Sequence, residues 1–213
     1  MTYAAIADDA SLMTFEAFLN WHPEDGRLFE LFHGVPREMP NPLGSHEDVI
    51  AFVKLVLGMH LLKANPQWYV ANSATVKPRR EMMGYRPDVV VLDRTRLADE
   101  PLWASRSSII NGASIPLVIE VVSTNWRDDY DIKFSDYEAM DVAEYWLIDF
   151  RALAAARAIG KPKQPTITVC YLTDDGYELR RFRAGEQLVS RVLPELELAA
   201  ADIFAAAGLS KQG

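Results

Sequence analysis

The sequence predicts an α/β fold, a mixed central β-sheet flanked by helices. The runs VVVL and PLVIEVV are continuously apolar and rich in β-branched residues, which is typical of central strands covered on both faces. Between the predicted strands, SHEDVIAFVKLVLGMHLLKANP has helical apolar spacing. At 213 residues the chain can bury a substantial core, and we expect one domain spanning 1–213.

The first elements are a short helix and a hairpin. Thr14 is a candidate N-cap for a helix through FEAFLNW, which the His22-Pro23 step and Gly26 should end. RLFELF, the turn HG and VPREM then predict a β-hairpin.

A long helix and two strands follow. Ser45 is the expected N-cap of the long helix, and Asn65-Pro66 should stop it. WYVANSATVK and YRPDVVVLD are each predicted to form a strand.

The second half of the chain continues the alternation. After PLVIEVV we expect a helix near DIKFSDYEAM, the strand EYWLID, a hairpin ITVCYLT-DDG-YELRRFR and a short helix in PELELAAADIF. The insert RALAAARAIGKPKQP has no reliable period, and its KPKQP end is expected to be a loop.

Composition limits the function classes. The net charge of −8 argues against a general phosphate-binding surface, although a local one stays open. The only cysteine, Cys170, excludes an internal disulfide and a cysteine metal site. No apolar run approaches the roughly 20 residues of a membrane helix, and MTYAAIADDASLM does not resemble a signal peptide. We therefore expect a cytoplasmic protein without membrane contact.

Two carboxylates interrupt the apolar strands. Asp88 shares its predicted face with Val90, and Glu120 shares its face with Val118. If the strands are neighbours in a suitable register, the two carboxylates converge and offer hard oxygen ligands suited to Mg²⁺. Alternatively, Asp88 caps a turn and Glu120 pairs with Lys133 or an arginine.

Lys133 and Tyr137 lie on the helix that follows. One turn apart, they share a helix face. Lys133 can reach toward the carboxylates, orient a water and balance charge in a phosphodiester transition state. The alternatives are a surface lysine and a packing tyrosine.

These motifs resemble a known family. RPDVVVLD, IEVVSTNWRDDYDIKFSDYEAMDVAEYWLID, the opening RLFELFHGVPREMP with SHEDVI, and the ending LPELELAAADIF are similar to the Uma-two family of restriction-endonuclease-like proteins, within the PD-(D/E)XK nuclease superfamily. The resemblance spans about Thr14 to Phe204, the expected core at about 14–204. It implies a restriction endonuclease-like fold.

The resemblance also implies site roles. Asp88 matches the aspartate of the PD motif, Glu120 the second acidic residue, and Glu30 an N-terminal glutamate of the metal site. The superfamily pattern has lysine two residues after Glu120, where this chain has Val122. Lys133 matches the family's lysine on the following helix and is the expected catalytic replacement.

Six further positions have two interpretations each. His46 is a metal ligand or base, or it caps or packs its helix. Ser123 and Asn125 bind phosphate or a metal-bound water, or they form a turn. Trp126 stacks on nucleic acid or covers the core edge, and Asp128–Asp129 are expected to be an exposed loop or a cap.

The function expected from these residues and the resemblance is a Mg²⁺-dependent DNA endonuclease, with Mn²⁺ as a possible substitute. The alternative is a catalytically inactive nuclease-fold module that binds nucleic acid or a protein partner. The acidic charge, Val122 and the lack of a recognisable DNA-reading motif keep this alternative open. The resemblance also implies a homodimer, but nothing in the sequence identifies its interface.

Overall fold

A computed structural model describes residues 12–21, 23 and 26–208 of the chain. The expected His22-Pro23 helix stop and the N-terminal MTYAAIADDAS lie partly or wholly outside the described residues. The helices are α1 (Phe15–Asn20), α2 (Gly44–Ala64), α3 (Trp103–Arg106), α4 (Phe134–Ala139), α5 (Ala156–Ile159) and α6 (Ala200–Ala206). The strands are β1 (Phe29–Phe32), β2 (Val35–Glu38), β3 (Trp68–Val70), β4 (Thr75–Val76), β5 (Val89–Asp93), β6 (Ser108–Ile109), β7 (Leu117–Val121), β8 (Glu144–Asp149), β9 (Thr166–Thr173) and β10 (Gly176–Phe182). Short 3₁₀ turns cover Leu97–Asp99 and Gly112–Ser114, and a π-helical turn, Asp128–Lys133, leads into α4.

The central sheet has six strands in the order β10-β9-β8-β7-β5-β3. Strands β7 and β8 are parallel, and the other neighbours are antiparallel. The sheet is therefore mixed, and helices flank it. This confirms the predicted fold class.

Both faces of the central strands are buried, as the apolar runs predicted. On one face, α2 and α6 pack against alternate strand residues such as Val89, Ile119 and Ile148. On the other face, Val90 and Val118 pack with residues of α4. The two carboxylate-bearing strands are neighbours in the sheet, and their antiparallel register pairs Val89 with Ile119 and Val90 with Val118.

The β1–β2 hairpin packs beside the sheet and presents an acidic residue to it. Its two-residue turn is His33–Gly34, with φ values of 50° and 78°, the positive values that two-residue hairpin turns favour. Leu31 bridges to Gly84, which anchors the hairpin next to the segment that leads into β5. Because successive side chains of a strand point to opposite faces, Leu31 packs in one apolar cluster and Glu30 points to the opposite side.

Two local predictions need correction. Helix α2 begins at Gly44 after Leu43, and Ser45 is not its N-cap. WYVANSATVK forms two short strands, β3 and β4, in different sheets, because the chain bends at the segment between them. The insert RALAAARAIGKPKQP, for which the sequence predicted no element, contains the short helix α5, and its KPKQP end lies outside helices and strands as expected. Thr14 does cap α1, accepting a hydrogen bond from the backbone N–H of Ala17.

In the part of the chain that the structure covers, no helix has the length and apolarity needed to cross a membrane.

Candidate active site

The Lys133 ammonium lies at the centre of a buried acidic cluster. Its Nζ is 3.0 Å from Glu120 Oε1, 3.1 Å from Glu30 Oε1 and 3.6 Å from Asp129 Oδ1. Only 7% of the Lys133 side chain is exposed. A buried ammonium of this kind needs paired carboxylates, because an isolated charge in a low-dielectric interior is very costly.

Three elements bring this cluster together. Glu120 comes from β7, Glu30 from β1, and both Asp129 and Lys133 from the π-helical turn. The i,i+4 spacing places Asp129 and Lys133 on the same side of that turn, and both are buried. Single π-helical turns of this kind occur often at functional sites.

Asp88 lies at the edge of the cluster. Its Oδ2 accepts a hydrogen bond of 2.7 Å from the backbone N–H of Val121, the residue after Glu120. The Asp88 side chain is 16% exposed. Asp88, which directly precedes β5, is thus tied to the strand that carries Glu120, so the two predicted carboxylates share one region of the sheet.

His46 contacts the same edge from the first turn of α2. Its Nε2 lies 2.9 Å from the Val121 carbonyl oxygen and 3.7 Å from Asp88 Oδ2. A carbonyl only accepts, so Nε2 carries the proton and donates it. Burial lowers the pKa of His46, so the ring is neutral at pH 7. Its Nδ1 is buried and has no hydrogen-bond partner among the described residues.

Two tyrosines support the cluster from α4 and the segment before β5. Tyr137 donates a hydrogen bond of 3.3 Å to Glu120 Oε1. The ring of Tyr85 lies 5.6 Å from the Lys133 ammonium, and its hydroxyl donates to Asp136. Asp136 also pairs with Arg80 at 3.0 Å. This network holds the α4 side of the site in place.

The pKa values of Asp88, Glu120 and Asp129 are raised. Burial is the main cause, and it raises the pKa of Asp88 to about 7 and that of Glu120 to about 8, although Lys133 opposes both changes. The pKa of Asp129 is also well above its usual value, mainly through burial. Burial alone would lower the pKa of Lys133, but the carboxylates, led by Glu120, raise it well above its usual value. Lys133 therefore stays charged, and Asp88 and Glu120 titrate near neutral pH.

Asp129 is the member of the cluster that the sequence analysis missed. It was expected in an exposed loop or cap, but it is buried beside Lys133. The doublet Asp128–Asp129 suggested exposure to solvent. Only the i,i+4 spacing between Asp129 and Lys133 indicated that Asp129 lies on the same buried side as the lysine. Asp128 is half-buried and pairs with Arg37 at 3.4 Å.

The segment after β7 has turn geometry. The Ser123 carbonyl accepts from the Trp126 N–H at 3.1 Å, and the Asn125 carbonyl accepts from the Asp128 N–H at 2.8 Å. Within the described residues, neither Ser123 nor Asn125 contacts the acidic cluster. Trp126 is half-buried against the core and packs edge-on to Tyr130 at 6.4 Å. These contacts favour the turn and packing interpretations.

Position 122 does not supply the lysine of the site. The superfamily pattern places lysine there, but Val122 is buried in the apolar core on the α4 face of the sheet. The ammonium that reaches Glu120 comes from the helix instead, as the resemblance implied for Lys133.

The acidic cluster offers oxygen donors of the kind that a hard cation needs. Glu30, Asp88 and Glu120 offer carboxylate oxygens, which are the ligands that Mg²⁺ prefers. In this structure Lys133 is the cation that Glu30 and Glu120 share, and no three His, Cys, Asp or Glu side chains in the described ranges are arranged around a point for a metal ion. The donor chemistry of these three carboxylates fits a hard divalent cation.

The Tyr137 hydroxyl should contribute to stability through Glu120. We expect Tyr137→Phe to lower the free energy of unfolding by about 1 kcal/mol, the usual contribution of a buried hydrogen bond. Urea unfolding with the metal chelated measures this change. Tyr69→Phe, at a half-buried position on the edge strand β3, is the control; an equal loss there would contradict a specific role for Tyr137.

The fold agrees with what is known of similar proteins. The mixed sheet with flanking helices and a lysine-centred acidic cluster agrees with the restriction endonuclease-like fold that the resemblance implied. A family model described as "Putative restriction endonuclease" matches residues 15–201, so the chain belongs to the Uma-two (Uma2) family.

A solved structure is similar in fold. The crystal structure of "a putative nuclease belonging to DUF820" from Anabaena variabilis has a TM-score of 0.69 and 17% sequence identity to this chain. The alignment covers 92% of this chain and 99% of that one. No curated protein matches the sequence significantly.

Proposed function

We propose that this chain is a divalent-metal-dependent DNA endonuclease that hydrolyses phosphodiester bonds at the Lys133 cluster. One observation carries the proposal: a charged, buried lysine contacts carboxylates from three separate elements, at the position where the family motif lies. The family description supports a nuclease, while the choice of DNA and of Mg²⁺ or Mn²⁺ is our inference.

Each side chain has a distinct role in this proposal. Glu30, Asp88 and Glu120 would hold the cation, which when bound supplies Lewis-acid stabilisation to a phosphate oxygen. Because its pKa is raised, Lys133 acts as a charged hydrogen-bond donor: it orients the attacking water and offsets charge on the phosphorane-like transition state. Tyr137 positions Glu120.

Neutral His46 has a supporting role at the same edge. Its Nε2–H fixes the Val121 carbonyl, and the Val121 N–H fixes Asp88, so the end of β7 is held from two sides. His46 is therefore a positioning residue in this proposal.

The test is a cleavage assay on supercoiled plasmid and on single-stranded DNA. We expect nicking or linearisation with Mg²⁺ or Mn²⁺ and none with the metal chelated. A protein that shows no cleavage with either ion would contradict the nuclease proposal.

A specific observation also supports the second candidate, an inactive nuclease-fold module. Lys133 already satisfies Glu30 and Glu120, and the described carboxylates are not arranged around a metal point. For this candidate, gel-shift or anisotropy measurements would show DNA or protein binding that is the same with and without divalent ions, together with no cleavage.

The pKa values predict an unusual pH dependence. The ordinary pKa values are 3.8 for Asp88 and 4.5 for Glu120, and both are raised in the folded protein. Between pH 5 and pH 8 the folded state therefore keeps protons that the unfolded state has released. The metal-free protein should lose stability as pH rises, with a slope approaching about 1.4 kcal/mol per pH unit for each such proton.

Divalent ions should reverse this loss. Because a cation replaces the protons, Mg²⁺ or Mn²⁺ should raise the melting temperature more at pH 8 than at pH 5. Differential scanning calorimetry over this range, with and without chelator, measures both effects. A stability that rises with pH in the metal-free protein would contradict the predicted direction.

A further inference from the structure

Helix α2 has apolar residues on two of its faces. The inner face buries Val49, Val53 and Leu57 against the sheet. The outer face exposes three large apolar side chains, with exposed fractions of 62% for Leu55, 55% for Met59 and 79% for Leu62. A helix that is apolar all round is normally covered all round, and contiguous exposed apolar patches mark interaction surfaces.

The outer residues follow the spacing of a helix–helix seam. Ala51, Leu55, Gly58 and Leu62, here called the outer seam, are separated by four, three and four residues, the spacing of residues that face a partner helix in a coiled coil. Small and large side chains alternate along it. Ala51, Leu55 and Leu62 are exposed, and Gly58 is half-exposed.

Gly58 has no role inside the chain that requires glycine. It lies in the interior of a 21-residue helix, where glycine is unfavourable compared with alanine. A Cβ added at Gly58 would meet nothing within 4 Å. Gly58 also lines a groove between α2 and the edge strand β3. The space above it suits the close approach of another chain.

We propose that the outer seam is the interface with a second copy of this chain, with the two α2 helices packed antiparallel about a two-fold axis. In this arrangement Leu55 faces the partner's Gly58, and Leu62 faces the partner's Ala51. Each large side chain then meets a small one. A parallel pair would instead place Leu55 against Leu55 and leave a gap between the glycines.

The charged residues at the two ends of α2 also favour the antiparallel arrangement. Asp48 is exposed near the start of α2 and Lys63 near its end, and neither forms a salt bridge with another described residue. In the antiparallel pair, Asp48 of one copy lies near the partner's Lys63 at both ends. Acidic and basic residues at opposite helix ends thus make the surface complementary to itself, as a two-fold interface requires.

The first test is the oligomeric state by sedimentation velocity, without metal or DNA, so that the result does not depend on catalysis. We expect the unaltered chain to be a dimer at micromolar concentration and Leu55→Glu/Leu62→Glu to be a monomer with unchanged circular dichroism. Leu179→Glu, which alters an exposed leucine on β10, should remain a dimer. A monomeric parent, or a double variant that still dimerises, would overturn the proposal.

Gly58→Ala separates association from folding. The added methyl group should raise the melting temperature measured below the dimer dissociation constant, because alanine favours the helix. It should weaken dimerisation, because the methyl group occupies the space that receives the partner's Leu55. Dimerisation that is unchanged or tighter would contradict close packing at Gly58.

A mixing experiment tests the antiparallel direction. Asp48→Lys and Lys63→Asp should each weaken self-association by roughly tenfold, since two attractive contacts become repulsive. An equimolar mixture of the two variants should restore dimer, because each altered residue then faces an opposite charge. If the mixture associates no better than either variant alone, the antiparallel arrangement is wrong.

Discussion

Asp88→Ala is expected to abolish DNA cleavage and the stabilisation of the protein by divalent ions. In the proposed site Asp88 is a cation ligand, and its removal leaves a smaller set of hard oxygen donors. For the unaltered protein, Mg²⁺ at a hundred times its dissociation constant should add about 2.7 kcal/mol to the free energy of unfolding, and the variant should show almost none of this gain. Plasmid cleavage and calorimetry with and without chelator measure the two losses.

The contact between Asp88 and the β7 backbone requires a second variant. Alanine also leaves the Val121 N–H without its acceptor, and an unsatisfied buried donor costs about 1–3 kcal/mol. Asp88→Asn keeps an acceptor and removes only the charge, so it should fold more stably than Asp88→Ala and be equally inactive.

Glu144→Gln is the matched control for carboxylate removal. Glu144 is fully buried on β8, pairs in register with Leu117 at the opposite end of β7 from Glu120, and accepts from the indole N–H of Trp146. Its glutamine variant should keep cleavage and the metal response. Cleavage by Asp88→Asn at the parent rate would remove Asp88 from the proposed chemistry.

The sheet could be predicted from the sequence because its central strands are buried on both faces. Short, continuous β-branched runs such as VVVL are typical of buried strands and fit few other secondary structures. The bend between β3 and β4 was not predictable, because WYVANSATVK has the composition of a single strand. The segment is divided only because its two halves pair with strands of different sheets. The start of α2 was predicted two residues late, because Ser45 has the chemistry of an N-cap but lies inside the first turn.

The site was predictable where a charged side chain interrupts an apolar strand. A carboxylate among valines, as at Glu120, indicated a partner, and Lys133 was among the partners considered. Asp129 was not predictable in the same way, because an aspartate doublet in a polar segment normally faces solvent and its burial depends on the π-helical turn. The link from His46 through the Val121 backbone to Asp88 depends on a carbonyl and an N–H, which a side-chain pattern does not show.

Lys133→Met should separate the chemistry of the site from its cation binding. Methionine keeps an unbranched apolar stem but removes the charge that orients water, so cleavage should fall by roughly a hundredfold or more. In the proposed site the cation and Lys133 share Glu30 and Glu120, so removal of the lysine should leave the stabilisation by Mg²⁺ intact or increase it. Single-turnover cleavage rates and metal-dependent melting curves measure the two effects.

The structure adds a stability cost that this experiment has to take into account. Lys133→Met leaves three buried carboxylates without their cation, and breaking a buried ion pair typically costs about 3–5 kcal/mol. The loss should be largest at pH 8 without metal and smaller at pH 5, where Asp88 and Glu120 are protonated because their pKa values are raised. Lys77→Met, which removes a half-buried lysine paired with Glu81, is the control and should keep cleavage. If folded, metal-loaded Lys133→Met cleaves DNA at the parent rate, another group must orient the water, and the lysine serves only to neutralise the acidic cluster.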